Sequence, residues 1–416
     1  MRKVVLILAI AAAFHACSEP SSLVNNPVDY VNPFIGASTS TEAAGVYHGL
    51  GKTFPGATTP FGMVQVSPNT ITGGDNASGY SYEMKTIEGF DFTQMSGVGW
   101  FGDLGNFLVM PTTGPMSTIA GKEDGSIDGW RSSYDKATEV AEPGYYSVRL
   151  TDYDILAECS ATPHCGIIRF IWPESDLSRI QIDLARRVGG TAEKEYVKVI
   201  DSNTIEGWMK CTPKTGGWGN GEGNADYTVW FHAEFSRPLE SYGCWTADIP
   251  DDWVRKKDEV VSLPYLQRVA ESRIVRGVEE LEGKHIGFFS EFPTSAGDQV
   301  ILKVGISFVD QEGARRNFAE EIADKATSLF IESGRHWKRD EEKHTEERPE
   351  DVRDAVRDDI LRAFAVRYEQ FLQTADLSLM KEDNILSSRC GRDRANDVLN
   401  VVDRIRYTSI LCYALI

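Results

Sequence analysis

The sequence predicts a mainly β protein: a large antiparallel β-sandwich of supersandwich-like size, followed by helical segments. Three short runs rich in β-branched and aromatic residues are separated by turn residues, which indicates a β-meander; they are Tyr145–Leu150, Ile155–Ala161 and residues 167–172. Turn signals separate short apolar runs over most of the chain, and apart from the acidic segment Asp251–Arg268, the one other candidate for a helix, no sustained helical period occurs before Glu312. This spacing is typical of a two-sheet sandwich.

The first 20 residues have the pattern of a bacterial export signal. Arg2 and Lys3 precede an unbroken apolar run from 4 to 14, which is shorter than the roughly 20 residues that a membrane-spanning helix needs. Cys17 follows an alanine, as at a lipoprotein cleavage site. We therefore expect residues 1–20 to form a signal peptide with Cys17 as the lipidated residue, secretion without a lipid being the alternative. The protein is then exported to the periplasm or outer membrane and meets the membrane only through its lipid.

The composition agrees with an exported globular protein. The chain has 416 residues, 41% of them apolar and 10% aromatic, which is enough for a sizeable core. A formal net charge of −19 argues against a nucleic-acid partner, because phosphate binding needs clustered Lys and Arg. The seven cysteines have no zinc-like spacing. Cys159 and Cys165 flank a turn and could form a disulfide across a hairpin, buried free thiols being the alternative.

The sandwich is expected to span residues 28–309. Its remaining predicted strands are residues 197–200, 204–209, 227–234 and 300–308.

Beyond the sandwich the pattern becomes helical. Ala314, Phe318 and Ile322 recur at steps of four, which predicts an amphipathic helix in a linker at 310–337. Residues 338–416 are rich in charge, and we expect them to form a helical or disordered remnant.

A glycine-rich segment at 89–114 carries the strongest functional signal from the residues themselves. Six glycines surround Trp100 and Phe101, and the acid Asp103 follows just after them. Glycine lets the backbone turn or approach another surface closely, and flat aromatic rings stack on apolar faces. One interpretation is a sugar-binding rim. The other is a glycine-rich corner of the sandwich with Trp100 in the core.

Several motifs in a fixed order resemble the N-terminal half of glycoside hydrolase family 92, the exo-acting α-mannosidases of bacteria. The resemblance covers about residues 28–330. Besides the glycine-rich segment, the motifs that carry it are V-N-P-F-I-G (31–36), G-K-T-F-P-G-A-T-T-P-F-G-M-V-Q-V-S-P (51–68), G-Y-Y-S-V-R-L-T-D-Y-D-I-L-A-E (144–158), K-V-G-I-S-F-V (303–309) and E-G-A-R-R-N (312–317).

The resemblance implies a calcium-dependent, inverting α-1,2-mannosidase that acts on mannose-rich glycans. In the family, a following α/α-toroid domain supplies the catalytic acid, the base and most calcium ligands. This sequence stops matching after about residue 337, so we expect a truncated or frame-shifted toroid, a short natural variant being the alternative. The catalytic residues are therefore unknown, no metal ligand is assigned, and the chain alone is expected to be inactive.

By the same resemblance, the sandwich half supplies contacts to the sugar. The loops holding Phe34 and Phe61 line the terminal-mannose pocket, and Trp100 occupies the place where members that cleave α-1,2 linkages carry a stacking tryptophan. Asp103 completes the predicted substrate-binding set. Asp75, Asp91 and Asp154 also lie in or near matched loops, but loop acids more commonly cap turns.

Three functions remain open at this stage. The first is the sugar-facing half of an exported α-mannosidase. The second is a carbohydrate-binding lipoprotein without catalysis, and the third is a structural scaffold in which the loop aromatics belong to the core.

Overall fold

The structure is a computed structural model that describes residues 31–37, 53–59, 62–70, 78–95, 103–216, 226–251, 253 and 262–323. From Asn32 onwards these residues belong to one compact unit. The predicted signal peptide with Cys17, the candidates Phe61 and Trp100, and the charged segment at 338–416 lie outside the described residues.

The first of two large sheets contains eight strands among the described residues, and all neighbouring pairs are antiparallel. In order across the sheet they are β1 (Ala57–Thr58), β2 (Gln65–Asn69), β4 (Gly89–Asp91), β5 (Leu108–Thr113), β11 (Ser175–Asp183), β20 (Ile286–Thr294), β17 (Ser241–Thr246) and β18 (Arg273–Arg276).

The second sheet has nine antiparallel strands in the described part of the chain. Across the sheet they are β19 (Glu280–Gly283), β14 (Lys194–Val199), β15 (Thr204–Cys211), β16 (Tyr227–Phe235), β21 (Gln299–Ser307), β10 (Cys165–Ile171), β9 (Ile155–Ala161), β8 (Tyr145–Leu150) and β7 (Val140–Glu142).

Smaller elements connect the strands. Two short ribbons pair β3 (Thr86–Ile87) with β6 (Ser132–Ser133) and β12 (Arg186–Arg187) with β13 (Gly190–Thr191). Single turns of 3-10 helix occur at Lys136–Thr138 and Pro213–Thr215.

The core lies between the two sheets, as the sequence predicts for a sandwich. Strand β16 shows the alternation that produces it, with every second residue buried from Val229 to Phe235 and the residues between them only half-buried. One apolar cluster joins such residues to side chains of the first sheet, including Phe90 and Phe288. The predicted β-sandwich is therefore confirmed, with antiparallel pairing throughout its two sheets.

Two α-helices are present among the described residues: α1 (Leu263–Ala270) and α2 (Gln311–Glu321). Helix α2 confirms the helix predicted after Glu312. Asp310 caps the N-terminus of this helix: its carboxylate accepts a hydrogen bond from the backbone N–H of Gly313 at 2.6 Å. Phe318 packs with Ile167 of the second sheet, so the helix covers an outer face of the sandwich. Neither helix is long and apolar enough to cross a membrane.

The sequence left open a hairpin disulfide between Cys159 and Cys165, and this disulfide does not form. Cys159 and Cys165 are both buried free thiols. Their strands, β9 and β10, are paired, but the two side chains belong to different apolar clusters: Cys159 lies in the core between the sheets, and Cys165 lies with Phe318 of α2. The alternative, buried free cysteine, is the one that the structure supports.

Candidate functional site

One buried arginine connects the glycine-rich segment with the short ribbon β12–β13 and a neighbouring turn. Arg187, on the short ribbon β12–β13, has no exposed side-chain surface. Its Nη1 atom lies 2.9 Å from Oδ1 of Asp103, and its Nε donates to the carbonyl of Thr191 at 2.9 Å. Its Nη2 donates to the carbonyls of Thr212 and Gly216 at 2.8 and 2.9 Å. These residues, together with Tyr227, are called the Arg187 cluster below.

Asp103, a predicted substrate-binding residue, belongs to the Arg187 cluster. This cluster and Asp91 are together called the floor of the site below. Its side chain is only 2% exposed. Besides Arg187, its Oδ1 atom accepts hydrogen bonds from the backbone N–H of Leu104 at 2.7 Å and from the hydroxyl of Tyr227 at 2.9 Å. An ionised carboxylate inside a protein needs such partners, because burial removes its hydration. The predicted contact between Asp103 and a sugar stays a prediction.

A second set of buried polar side chains surrounds Asp91 on strand β4. Its carboxyl group accepts hydrogen bonds from the side-chain amides of Asn69, at 3.1 Å, and Gln94. Burial raises the pKa of Asp91 well above its ordinary value, and the nearby Glu88 adds to the effect, whereas the hydrogen bond from Asn69 opposes it. Burial therefore favours the protonated, uncharged form of the Asp91 side chain.

Glycines bring these two groups into contact. Gly105 has φ +71°, and a methyl group added there would lie 3.0 Å from Oδ2 of Asp91 and 2.8 Å from Cγ2 of Val188, the residue after Arg187. A methyl group at Gly79 would lie 2.9 Å from the same Val188 carbon and 3.1 Å from Nδ2 of Asn69. The backbone thus approaches closely where a side chain would keep it away.

Phe34, the second described candidate, is half-buried beside an aromatic cage. Its ring meets that of Tyr82 edge-on, with the centroids 5.7 Å apart. Tyr82, Tyr80 and Tyr134 surround the Lys136 ammonium, which lies 4.2, 5.0 and 4.7 Å from their ring centroids. Burial lowers the pKa of Lys136, and the neighbouring Glu139 opposes that shift.

A chain of contacts connects Phe34 with the Arg187 cluster. The Thr53 hydroxyl donates to the carbonyl of Ile35 at 2.7 Å, and the Ser78 hydroxyl donates to the carbonyl of Thr53 at 3.1 Å. Ser78 precedes Gly79, which packs on Val188. These contacts run from Ile35, the residue after Phe34, to Val188, the residue after Arg187.

Of the remaining carboxylate candidates, Asp154 has a structural partner. Asp154 is 63% exposed and pairs with Arg149. His164 and His232 contact Glu321 and Glu206 at 2.5 and 2.8 Å. Asp75 and His48 lie outside the described residues. The described part of the chain contains no group of three or more His, Cys, Asp or Glu side chains that could hold a metal ion.

The sequence reasoning missed Arg187 and Tyr227. In R-R-V-G-G (186–190), the two arginines before two glycines resemble a solvated turn. The available signal was the presence of two features in one sequence: this arginine-containing turn, and Asp103 as an acid in an apolar, glycine-rich segment. That acid needs a buried cation.

Comparisons with known proteins agree with this architecture. A sequence model described as the glycosyl hydrolase family 92 N-terminal domain matches residues 30–307. The solved structure of a family 92 α-mannosidase from Bacteroides thetaiotaomicron is 32% identical, with a TM-score of 0.62, and the match covers 77% of this chain and 38% of that one. The same enzyme is also solved in complex with mannoimidazole.

Two further relatives are more distant. An inverting family 92 mannosidase from Bacteroides thetaiotaomicron VPI-5482 is 22% identical, with a TM-score of 0.56 over 76% of this chain and 36% of that one, which shows a common fold. An uncharacterized secreted glycosidase from Arthroderma benhamiae is 29% identical over 130 residues, which are 30% of this chain and 16% of that protein. The chain thus spans less than two thirds of the length of each of these relatives.

Proposed function

Because the chain belongs to glycosyl hydrolase family 92, we propose that it is the sugar-facing sandwich half of a calcium-dependent, inverting α-1,2-mannosidase that acts on mannose-rich glycans. The observation that carries this proposal is the chain of contacts that connects Phe34 with the Arg187 cluster. It lies within the part of the chain that matches the family. The mannoimidazole complex of the 32% identical enzyme supports a mannose-containing substrate.

The chemistry of each side chain suggests its proposed role in sugar binding. Phe34, Phe61 and Trp100 supply flat apolar surfaces on which the apolar faces of mannose rings stack. Asp103 is held in the floor of the site by its bond to Arg187. The uncharged state expected for Asp91 keeps a second charge out of that floor.

The described residues do not themselves fit the calcium site. Calcium takes six to eight oxygen ligands, whereas Asp91 and Asp103 are buried and bonded to neighbouring side chains. Inversion needs an acid and a base that face the scissile bond about 6.5–9.5 Å apart, whereas the carboxyl groups of Asp91 and Asp103 are buried away from solvent. We therefore assign no catalytic step to them and expect the chain alone to bind sugar without cleaving it.

This expectation keeps a second candidate function, a non-catalytic carbohydrate-binding lipoprotein. The same burial of Asp91 and Asp103 favours it. Both candidates share export through the segment 1–20 with lipid on Cys17, as expected from the sequence. Mass spectrometry of the mature protein tests this: a Cys17→Ala variant should lack the lipid, and normal processing of that variant would exclude lipidation.

Sugar binding tests the proposed function directly. Saturation-transfer NMR of the 416-residue chain with α-1,2-mannobiose should show transfer to the sugar, and Trp100→Ala should abolish most of it. Trp208→Ala is the matched control, because Trp208 stacks on Tyr196 on the outer face of the second sheet, away from the site. Transfer that is absent in the wild type, or equal in both variants, would contradict the proposal.

A further inference from the structure

We infer that Arg187 is a positioning residue of the sugar-facing site: one guanidinium sets the relative positions of Asp103, Thr191 and the Thr212–Gly216 turn. This inference rests on the proposed function for its consequence, sugar affinity, but its structural part can be tested without a sugar.

The geometry of the guanidinium carries the inference. Arginine presents its N–H donors in a rigid planar fork. Here the fork donates to Asp103, Thr191, Thr212 and Gly216, all at 2.8 to 2.9 Å. The partners are far apart in sequence, up to 84 residues from the arginine. A planar fork bonded on several sides allows little movement of any one partner relative to the others.

Burial makes these bonds obligatory. The Arg187 side chain has no exposed surface, so a bond that breaks cannot be replaced by bulk water. Asp103 is bound from a second side by the hydroxyl of Tyr227, the first residue of strand β16. The charge of the arginine and the charge of the aspartate thus compensate each other only while this arrangement is intact.

The backbone beside the guanidinium is packed without intervening side chains. A methyl group on Gly190 would overlap the carbonyl oxygen of Thr215, and one on Gly216 would overlap that of Gly189. The Thr215 hydroxyl also donates to the carbonyl of Thr191 at 2.8 Å. The ribbon β12–β13 and the Thr212–Gly216 turn therefore form one block, and Arg187 attaches Asp103 to it.

The block continues to the rest of the site through two neighbours of the paired residues. Gly105, two residues after Asp103, packs against both Asp91 and Val188. Val188, the residue after Arg187, also packs against Gly79. Gly79 follows Ser78 in the contacts that lead to Phe34. Displacing the guanidinium should therefore disturb the floor of the site, although Arg187 itself is too deeply buried to touch a sugar.

The experiment compares two buried arginine–acid pairs in the full chain. The test variant is Arg187→Gln with Asp103→Asn, which removes both charges so that neither is left buried alone. The control is Arg179→Gln with Glu291→Gln, because Arg179 is equally buried, pairs with Glu291 at 2.8 Å and also holds a backbone carbonyl, that of Gly114. Circular dichroism checks that both variants fold.

The first readout is hydrogen exchange without sugar. The test pair should speed amide exchange at least tenfold at Gly105 and at Gly216 together, while the control pair leaves both unchanged. An Arg187→Ala variant should recover slow exchange at both positions when guanidinium ion is added. Exchange that speeds up at only one of these positions, or equally in both pairs, overturns the coupling.

The second readout is affinity for α-1,2-mannobiose. We expect a loss of at least tenfold in the test pair and less than twofold in the control pair. Equal affinities in the two pairs would overturn the positioning role. If the wild-type chain binds no mannobiose, the proposed function fails, and the exchange experiment still decides whether Arg187 couples the segments.

Discussion

Arg187 and Asp103 form an ion pair inside the sandwich, with Nη1 of the arginine 2.9 Å from Oδ1 of the aspartate and the two side chains 0% and 2% exposed. A buried pair of this kind pays a large desolvation cost, so its presence does not by itself make a protein stable. Losing one partner is different, because the remaining charge then lies in the interior without compensation.

We therefore predict that Asp103→Asn lowers the free energy of unfolding by about 3 kcal/mol, measured by urea denaturation at pH 7. Asp154→Asn is the matched control. Asp154 pairs with Arg149 at the surface, where both side chains are about half exposed or more, so the loss should be below about 1 kcal/mol. Similar losses in the two variants would show that the Arg187 charge is not sealed from solvent.

A second prediction concerns Glu206, which attaches helix α2 to the second sheet. Its carboxylate receives two hydrogen bonds of 2.6 Å from Arg315 and one of 2.8 Å from His232. Burial alone would raise the pKa of Glu206, but the bonds from His232 and Arg315 outweigh it and lower the pKa to about 2. An acid whose pKa is lowered by folding stabilises the fold above its ordinary pKa of 4.5 and loses that contribution as the pH falls towards 2.

Glu206→Gln should therefore cost about 2 kcal/mol at pH 7, after allowance for the solvent around the half-exposed Arg315, and the difference from wild type should shrink between pH 4.5 and 2. Urea denaturation across that range measures it. Glu312→Gln, at the other and exposed partner of Arg315, should change stability little at any of these pH values. A Glu206 difference that stays constant with pH would exclude the proposed ion pair.

The sequence predicted strands best where turn residues bound a short run of β-branched and aromatic residues. Strands β8 and β9 begin and end where these runs do. Strands β11 and β20, in the middle of the first sheet, were missed, because Arg179 and Glu291 interrupt their apolar runs. These two charged side chains are buried opposite each other. They compensate each other only because strands whose paired residues lie 112 positions apart in the sequence are neighbours in the sheet.

The same limit applies to the site. Asp103 could be singled out because an acid in a glycine-rich, aromatic segment is unusual. Arg187 was missed, since its role depends on four acceptors that come together only in the folded chain. Local sequence reports backbone preference and amphipathicity, whereas a buried polar cluster is set by contacts between distant residues.

A third prediction tests the packing of the first sheet at Gly287 in strand β20. A methyl group at this position would overlap the ring of Trp245, which is fully buried on the neighbouring strand β17. Gly287→Ala should therefore destabilise the fold by about 3 kcal/mol in urea denaturation, since a filled core must shift to admit added volume.

Gly283→Ala on the edge strand β19 is the control for this substitution. The nearest atom to its added methyl group is Oγ1 of Thr246, at 3.8 Å, so the expected change is within about 0.5 kcal/mol. Equal tolerance of alanine at both positions would mean that Trp245 can move aside.

The last prediction concerns Asp91, the buried acid beneath Gly105. Burial raises its pKa well above 3.8, so the folded state binds a proton that the unfolded chain releases near that value. An acid of this kind favours folding most below pH 3.8, and the contribution declines as the pH rises through the raised folded pKa. Asp91→Asn removes the titration while keeping the shape of the side chain. The side-chain oxygens of Asn69 and Gln94 have no hydrogen-bond partner among the described residues, so either amide can rotate to accept a bond from the new amide.

Relative to wild type, Asp91→Asn should therefore become progressively more stable from pH 4 upwards, by at most about 1.4 kcal/mol for each pH unit until the folded pKa is reached. Urea denaturation of both proteins between pH 4 and 8 measures this difference, and contributions from other groups cancel because both proteins share them. Asp124→Asn is the control: Asp124 is exposed, and its hydrogen bonds to Ser126 lower its pKa, so any pH dependence should be small and of the opposite sign. A difference between wild type and Asp91→Asn that does not change with pH would show that Asp91 is ionised in the fold and that the floor of the site carries its charge.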